Sequence, residues 1–499
     1  MEKLKQKITN DFIVYSLATY VTQAIGIFTS LGMRYFLDPA SMGRWALLEF
    51  LLSYGLYANL GVLQSLTTEL PINVGRKDFE KVKDIKEASL TFVLGMCALA
   101  GLFFIGAAVL APMEGTGELK MGLAVTAFVL IGTALYNFHV SLMQAEKNFV
   151  LLSKAIVLNA SLFLFFILIL VPKFKLIGLL SSVLLSNIFT VIFVQFSSRS
   201  GWRLHIKKEV IVHLIKMGLP LMVVGFAYST FMGVDRLMIT RYLGVTSLGY
   251  YSLALLVMTY ADVIPNILSI VVFPNMQENF GESGSYKSTG QFVIKPTILS
   301  AYCTPLFLGT AYFAVPFLVK LLLPKYMPGI DSMRICLIGA FFLALAHGIY
   351  TYLTTIYKRL HHVPILVCGM AVAVGLSYFL IHKGMGLNGV ALGMSGGFFT
   401  YYTILFFYVF GHFCTFRESL FYFIEILLCF AYFVTGLFLV GHFVNMGSNV
   451  LNGIAQCLFF IVFCLPLLWR VNQKTSALTL LFQTVKNYFY GKSKEGISG

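Results

Sequence analysis

The feature that most limits the possible fold of this chain is a succession of long apolar segments joined by short polar loops. A helix that crosses a bilayer needs about 20 mostly apolar residues, and such stretches fill almost the whole 499-residue sequence. They show little of the alternation expected of a lipid-facing β-barrel, so we interpret them as helices. We predict about 14 transmembrane helices, at 12–37, 43–70, 88–111, 120–144, 151–171, 176–196, 214–240, 249–274, 292–316, 331–357, 364–382, 388–411, 418–441 and 448–469.

Composition supports this all-α polytopic membrane protein. Hydrophobic residues make up 58% of the chain and charged residues only 11%. A soluble domain carries about a quarter charged residues, so this chain has too little charge to cover a water-facing surface. We expect no cleaved signal peptide, because the first apolar segment is too long for one and carries Arg34 at its far end.

The basic residues predict the orientation in the membrane. If the N-terminus is cytoplasmic, most of the 36 Lys and Arg residues fall on the cytoplasmic side, as the positive-inside rule requires. An even number of spans then places the C-terminus inside as well. The net charge of +15 reflects this topology and contact with anionic membrane lipids. No basic stretch has interleaved aromatic residues, so we predict no nucleic-acid partner.

A sequence motif occurs twice. Arg34-Tyr-Phe-Leu-Asp-Pro-Ala-Ser-Met-Gly43 links the first two segments, and Arg241-Tyr-Leu-Gly-Val-Thr-Ser-Leu-Gly249 links the seventh to the eighth. A repeat at this scale is typical of transporters built from two similar bundles with a path between them. We therefore predict pseudo-symmetric six-helix bundles at 1–206 and 207–412, an additional helix pair at 413–470 and a cytoplasmic basic amphipathic tail at 471–499.

Polar residues recur at helical spacing in five of the segments. A charge at the bilayer centre costs about 2.5–3.5 kcal/mol on insertion scales, so such residues point to function. Any single one could simply bond one helix to another, but five stripes together predict a water-filled cavity between the halves. The stripes are Ser16, Thr19, Gln23, Ser30 and Arg34; Glu49, Ser53, Tyr57, Gln64 and Thr67; Thr133, Asn137, Ser141 and Gln144; Thr259, Asp262, Asn266 and Ser269; and His347, Thr351, Thr354 and Lys358.

Asp235 and Arg236 are adjacent in the seventh segment. Neighbours on a helix point about 100° apart, so they cannot both face one lumen. One arrangement has Asp235 facing the cavity and Arg236 paired to a neighbouring helix. The alternative is an ion pair between helices with no role in transport.

Two runs of residues resemble a known family. Asp235-Arg236-Leu-Met-Ile239-Thr-Arg-Tyr-Leu243-Gly244-x4-Gly249-x-Tyr251-Ser252-x-Ala254 is similar to the signature of bacterial polysaccharide transporters, and so is Leu37-Asp38-Pro39-x3-Gly43. These are the O-antigen (lipopolysaccharide) and exopolysaccharide flippases of the multidrug/oligosaccharidyl-lipid/polysaccharide exporter (MOP) superfamily. The resemblance implies a cell-membrane protein that moves an undecaprenyl-diphosphate-linked oligosaccharide to the outer leaflet by alternating access. It implies no catalytic residues, because such proteins break no covalent bond.

The polar stripes and the basic residues supply candidates for such a substrate. Arginine binds a diphosphate through planar, bidentate hydrogen bonds, and neutral polar groups suit sugar hydroxyls. The predicted substrate-binding residues are Arg34, Gln23, Glu49, Gln64, Asn137, Arg241, Arg334 and His347. The carboxylates predicted to couple transport to a proton or sodium ion are Asp262, Glu49 and Asp235.

We expect no cofactor and no metal, because the eight cysteines form no CxxC or Cys/His cluster. Glycan-assembly machinery is a further expected partner.

Other classes of protein stay open. A multidrug or organic-cation antiporter of the same superfamily would share the two bundles, but such proteins usually have twelve spans, and the additional helix pair favours a lipid-linked substrate. A membrane-embedded glycosyl- or acyltransferase would need clustered acid and base groups near a large loop, and the predicted loops are all short. A scaffold would not need polar stripes. The sequence has no Walker A motif, so we expect no ATP hydrolysis.

Overall fold

The computed structural model describes residues 2–110, 117–198, 204–261, 276–277, 282, 285–356, 358–444 and 449–475. Within these residues the regular structure is entirely helical, which confirms the predicted all-α class. The predicted coupling residue Asp262 and most of the predicted tail lie outside the described residues.

The helices are numbered in chain order. They are α1 (Glu2–Phe36), α2 (Pro39–Leu56), α3 (Val62–Gly75), α4 (Phe79–Leu110), α5 (Gly117–Ala145), α6 (Phe149–Ser198), α7 (Lys208–Tyr242), α8 (Val245–Ala261), α9 (Tyr286–Leu322), α10 (Ile330–Thr355), α11 (His362–His382), α12 (Gly386–Phe410), α13 (Phe416–Phe443) and α14 (Asn449–Thr475). Short 3-10 turns occupy Tyr57–Asn59, Pro324–Gly329 and Arg359–His361.

In the described part of the chain, 10 helices are long and apolar enough to cross a membrane, or up to 11 if the bent pair α2–α3 is one span. Part of the difference from the predicted number has a simple cause. α6 is counted once, although it is 50 residues long and breaks at Lys175 (φ 47°, ψ −122°), between the predicted fifth and sixth segments. α8 has 17 described residues and is too short to be counted. The number of spans and their orientation stay predictions.

The chain forms two compact units, Met1–Ser252 and Leu253–Gly499. In the first unit, α5 packs against α4 and α6, α1 packs against α6, and α3 packs against α4, α5 and α7. In the second unit, α12 packs against α10 and α11, and α9 packs against α10, α13 and α14. The first unit thus includes α7, which the sequence repeat assigns to the second bundle. The predicted boundaries at 206, 412 and 470 divide the chain by its sequence repeat, whereas the two units divide it by contacts. The predicted boundaries therefore stay predictions.

Asp38 determines where α2 begins. Its Oδ2 accepts hydrogen bonds from the amide nitrogens of Ala40 (3.1 Å) and Ser41 (3.3 Å). Pro39 follows at the first helical position, where its missing N–H removes no hydrogen bond. Burial raises the pKa of Asp38, but its hydrogen bonds to Ser41 and Ala40 outweigh burial and leave this pKa below its usual value.

A break separates α2 from α3, and the two helices meet at 45°. Leu60 (φ 49°) and Gly61 (φ 84°) both adopt the left-handed conformation there, which a glycine accommodates without strain. Asn59 bonds to backbone groups that the break frees: its Nδ2 donates to the Leu56 carbonyl oxygen (2.6 Å) and its Oδ1 accepts from the Gly61 amide (2.9 Å). The break is therefore satisfied from within the chain, as it must be where water is absent.

Large apolar side chains cover the outer surfaces of helices in both units. Leu102 and Phe103 on α4 are 64% and 73% exposed, and Phe438 on α13 is 68% exposed. A contiguous apolar surface of this kind would aggregate in water, whereas lipid tails solvate it. The exposed faces of these helices are therefore suited to contact with lipid.

Candidate functional site

A cavity of about 460 Å³ lies in the first unit, among α2, α3, α5 and α7. Most of its described lining residues carry hydroxyl or carboxamide side chains, and none of these residues is charged. The lining residues are Ser53, Leu56, Tyr57, Asn59, Leu63, Gln64, Thr67, Asn137, Val140, Ser141, Gln144 and Ser229. We call this space the polar cavity.

Two of the predicted polar stripes meet at the polar cavity. The stripe of the second segment lines it from α2 and α3, and the stripe of the fourth segment lines it from α5. The structure therefore brings together the predicted binding residues Gln64 and Asn137. Ser229 of α7 also lines the cavity, although it belongs to none of the five predicted stripes. The available signal was the short polar run Tyr228-Ser229-Thr230 in an apolar helix.

Several polar side chains at the cavity have no partner in the described part of the chain. Asn137, Ser141 and Gln144 lie on successive turns of α5, and their side chains form no hydrogen bond with any described residue. The carboxamide oxygen of Gln64 is buried and also lacks a partner among the described residues. Buried polar groups in folded proteins are almost always paired, so the Gln64 oxygen is exceptional, whereas Asn137 and Ser141 are half-buried and Gln144 is exposed. These groups are therefore available to a ligand or to water.

Tyrosine hydroxyls join α2 to α7 at one wall of the polar cavity. The Tyr57 hydroxyl lies 2.6 Å from Ser229 Oγ, and the Tyr54 hydroxyl donates to Thr230 Oγ1 at 2.8 Å. The Phe226 ring packs edge-on against both tyrosines, with centroid distances of 5.2 and 5.3 Å. The shape of the cavity thus depends on contact between these two helices.

A group of charged residues lies on the same helices, beyond the polar cavity. Glu49 is one turn before Ser53 on α2, and Arg236 is two turns after Ser229 on α7. The positive charges of Arg236 and Arg34 both act on the Glu49 carboxylate. The Glu49 side chain is exposed, so it borders an open space rather than a packed core. Together with Asp235, these residues form what we call the charged cluster.

Arg34 is only 4% exposed, and its guanidinium group bonds to the protein. Nη1 donates to Ser30 Oγ (2.5 Å) and to the Ser30 carbonyl oxygen (3.0 Å). Nη2 donates to the Ser252 carbonyl oxygen (2.7 Å), and Nε donates to Ser252 Oγ (3.3 Å). Arg34 therefore links α1 to α8, and most of its five N–H donors are occupied.

The structure contradicts the first of the two arrangements predicted for Asp235 and Arg236, because Asp235 is the residue that is buried against a neighbouring helix. Asp235 is 1% exposed and hydrogen-bonds to Tyr251 of α8. The Arg236 side chain is 21% exposed, and its Nη1 donates to the Met232 carbonyl oxygen of its own helix (2.8 Å). The burial of Asp235 comes from packing against α8, which the periodicity of α7 cannot reveal.

The other predicted site residues lie elsewhere. Gln23 is in α1, and Arg241 is exposed in the last turn of α7. Arg334 and His347 are in α10 of the second unit, where the Arg334 guanidinium carbon lies 5.0 Å from the centroid of the Tyr312 ring. Among the described residues, no group of three or more His, Cys, Asp or Glu side chains could hold a metal ion.

Glycines let α8 approach α2 at backbone distance. A Cβ atom at Gly43 would overlap the Val245 carbonyl oxygen and lie 2.9 Å from the Gly249 amide nitrogen. A Cβ atom at Gly249 would overlap the Pro39 carbonyl oxygen. The contact is reciprocal, because each glycine meets the carbonyl group four residues before the other. Gly43 and Gly249 also end the two copies of the sequence motif, so the two copies touch each other directly.

A second close contact joins α3 to α7. A Cβ atom at Gly218 would overlap the Gly61 carbonyl oxygen, and one at Gly61 would overlap the Gly218 backbone. Next to it, Ser65 Oγ donates to the Leu214 carbonyl oxygen at 2.5 Å. Further along, Glu69 Oε2 lies 3.2 Å from the Nε2 of His213. The helices that line the polar cavity are thus held by backbone contacts that admit only glycine.

Comparison with known proteins identifies the family. The sequence model described as "Polysaccharide biosynthesis protein" matches residues 74–328, and the chain belongs to this family. No protein with a curated description matches the sequence.

The fold is shared with solved transporter structures. Lipid II flippase MurJ, in an inward closed conformation, superposes with a TM-score of 0.70 at 13% identity, over 93% of this chain and 99% of that chain. An outward-facing multidrug resistance MATE family transporter of the MOP superfamily superposes with a TM-score of 0.60 at 16% identity, over 80% and 94%. A MOP superfamily transporter from Pyrococcus furiosus gives the same values. The resemblance seen in the sequence is confirmed: the chain has the MOP transporter fold and is a multi-pass membrane protein.

Proposed function

We propose that this protein is a flippase that carries an undecaprenyl-diphosphate-linked oligosaccharide from the inner to the outer leaflet of the bacterial cell membrane by alternating access. The polar cavity is the observation that carries this proposal. Its hydroxyl and carboxamide groups supply the donors and acceptors that sugar hydroxyls need, and several of them have no partner among the described residues. The substrate would be a repeat unit of O-antigen or of an exopolysaccharide.

The predicted binding residues take two roles in this proposal. Gln64 and Asn137 contact the glycan, since both line the polar cavity. The diphosphate is bound by Arg34, Arg241 and Arg334, because a guanidinium group binds phosphate oxygens bidentately. For Arg34 the diphosphate would replace Ser252 as hydrogen-bond partner, so binding there would separate α1 from α8. Gln23, Glu49 and His347 stay proposed contacts.

We also propose that transport is coupled to a proton or sodium gradient through a carboxylate. Glu49 fits this role because it is exposed and is acted on by two guanidinium groups. Asp235 fits less directly, because it is buried against Tyr251. Asp262 is proposed from its sequence pattern alone.

Transport can be measured with purified protein in liposomes that contain a polyprenyl-diphosphate disaccharide with a fluorescent label on the sugar. We expect the label to reach an impermeant quencher faster than in protein-free liposomes, and faster still with an imposed proton or sodium gradient. Glu49→Gln, Asp235→Asn and Asp262→Asn test the coupling residue, and the one that couples should lose the response to the gradient. Glu118→Gln is the control, because Glu118 pairs with Arg44 and its side chain is 61% exposed.

Two results would count against the proposal. If the protein does not accelerate movement of the labelled lipid, it is not a flippase of this substrate class. If it instead moves an organic cation across the same liposomes, it is a multidrug antiporter of the same superfamily.

The proposed topology has 14 spans with both ends in the cytoplasm, of which the structure accounts for 10 or 11 candidate helices. In a background without the eight native cysteines, cysteines placed at Lys81 and Lys287 should be protected from an impermeant thiol reagent in intact cells. A cysteine at Gly115 should be labelled. The opposite labelling pattern would show that the orientation is inverted.

A further inference from the structure

We infer that the polar cavity binds uncharged sugar rings of the transported glycan and disfavours sugars that carry a carboxylate. This inference rests on the proposed function and adds to it the sugar chemistry that the site selects.

The polar cavity supplies no counter-charge from the part of its lining that the structure describes. None of the described lining residues is charged. The nearest charged positions along α2 and α7 are Glu49 and Asp235, with Arg236 next to Asp235, and all three belong to the charged cluster. That cluster combines two guanidinium groups, Arg34 and Arg236, with two carboxylates, Glu49 and Asp235. The guanidinium groups of the cluster therefore already have acidic side chains of the protein beside them.

Placing a carboxylate in the polar cavity costs free energy. An ionised carboxylate that leaves water without gaining a cationic partner loses its hydration and is not compensated. Glu49 lies one turn from Ser53 and would repel a second negative charge. An uncharged hydroxyl meets neither penalty.

The cavity side chains that lack partners have hydrogen-bonding groups that match a sugar hydroxyl. The carboxamides of Gln64, Asn137 and Gln144 and the hydroxyl of Ser141 can each donate and accept. A sugar hydroxyl also donates and accepts, whereas a carboxylate only accepts. Asn137 and Gln144 are seven residues apart on α5, which is about 10 Å along the helix axis. Two linked pyranose rings can follow that row of groups.

The test uses two matched probes. Both are polyprenyl-diphosphate disaccharides, identical except that one hexose in the first is replaced by a hexuronic acid in the second. Binding to the full-length protein in detergent gives the two dissociation constants, and movement in liposomes gives the two transport rates. We expect the uncharged probe to bind at least about 10-fold more tightly, which corresponds to about 1.4 kcal/mol.

Charge variants of the cavity should change this preference. Asn137→Asp and Gln64→Glu keep the shape of the side chain and add a negative charge, so they should widen the difference between the probes by about 10-fold. Gln64→Lys should narrow or reverse it, because the ammonium group pairs with the uronic carboxylate. Asn148→Asp is the matched control. Asn148 accepts a hydrogen bond from the Leu151 amide at the start of α6, outside the cavity, and aspartate serves equally well there.

The outcomes separate this inference from the proposed function. If neither probe is moved by the wild-type protein, the flippase proposal fails, and the dissociation constants still decide the inference. If both probes bind equally, or if Asn137→Asp and Gln64→Glu behave like Asn148→Asp, the inference is overturned while the flippase proposal stands. Gln64→Glu decides the matter if Asn137→Asp does not fold.

Discussion

Gly249→Ala is expected to stop transport and to lower the melting temperature of the protein. A Cβ atom at this position would overlap the Pro39 carbonyl oxygen, and all three of the nearest atoms belong to the Pro39 backbone. Backbone cannot rotate away as a side chain does, so α2 and α8 would have to separate. Inserting a carbon into a packed contact costs about 1–3 kcal/mol. The melting temperature in detergent and the liposome assay measure the two effects.

The same contact provides its own internal check. Gly43→Ala should act like Gly249→Ala, and the double variant should cost less than the sum of the two, because one separation of the helices relieves both overlaps. Gly95→Ala on α4 is the control, since nothing lies within 4 Å of a Cβ atom there. If Gly249→Ala melts like the wild type, then the close approach of α2 and α8 is not present in the working protein.

Arg34→Ala is expected to abolish glycan display while the amount of protein in the membrane stays normal. Arg34 is 4% exposed and donates to both Ser30 and Ser252. In the proposed function its guanidinium group binds the diphosphate, and alanine offers no such group. Arg34→Lys should rescue only in part, because an ammonium group lacks the planar fork. Surface glycan and membrane abundance, measured in the same cells, distinguish lost function from lost protein.

Two comparisons define what the Arg34 result means. Arg44→Ala is the control, because Arg44 forms a partly exposed pair with Glu118 and such pairs contribute about 0–1 kcal/mol. Ser252→Ala keeps the carbonyl oxygen that accepts at 2.7 Å and loses only the 3.3 Å bond to Oγ, so its effect should be small. Full glycan display in Arg34→Ala would remove Arg34 from the site.

The polar cavity could be predicted in part from the sequence because helical periodicity places polar residues on one face. Ser53, Tyr57 and Gln64 recur along the second segment, and Asn137 and Ser141 recur along the fourth. Polar groups inside a bilayer must face a partner or a cavity, so the five stripes predicted a cavity, and two of them line the one in the first unit. The predicted position between the halves stays a prediction. The all-helical class followed from the apolar segments alone, and even the break at Lys175 fell between two predicted segments.

Other features could not be predicted because they depend on which helices meet. The burial of Asp235 requires Tyr251 of α8, and Ser229 reaches the cavity only because α7 packs against α2 and α3. The glycine contacts depend on distances between backbones that no local pattern encodes. Periodicity assigns a residue to a face of its helix, but it does not say what lies opposite.

The reciprocal contact of Gly43 and Gly249 has a consequence for the ancestry of the fold. Each glycine touches the carbonyl group four residues before the other, at Val245 and at Pro39, which is the geometry of a local two-fold axis. If the two motif copies descend from a half-length ancestor that paired with itself, a single glycine in that ancestor would have created both sides of the contact. After gene duplication and fusion, the single chain would then have contained both sides of this glycine contact before any further substitution adapted the two halves to each other.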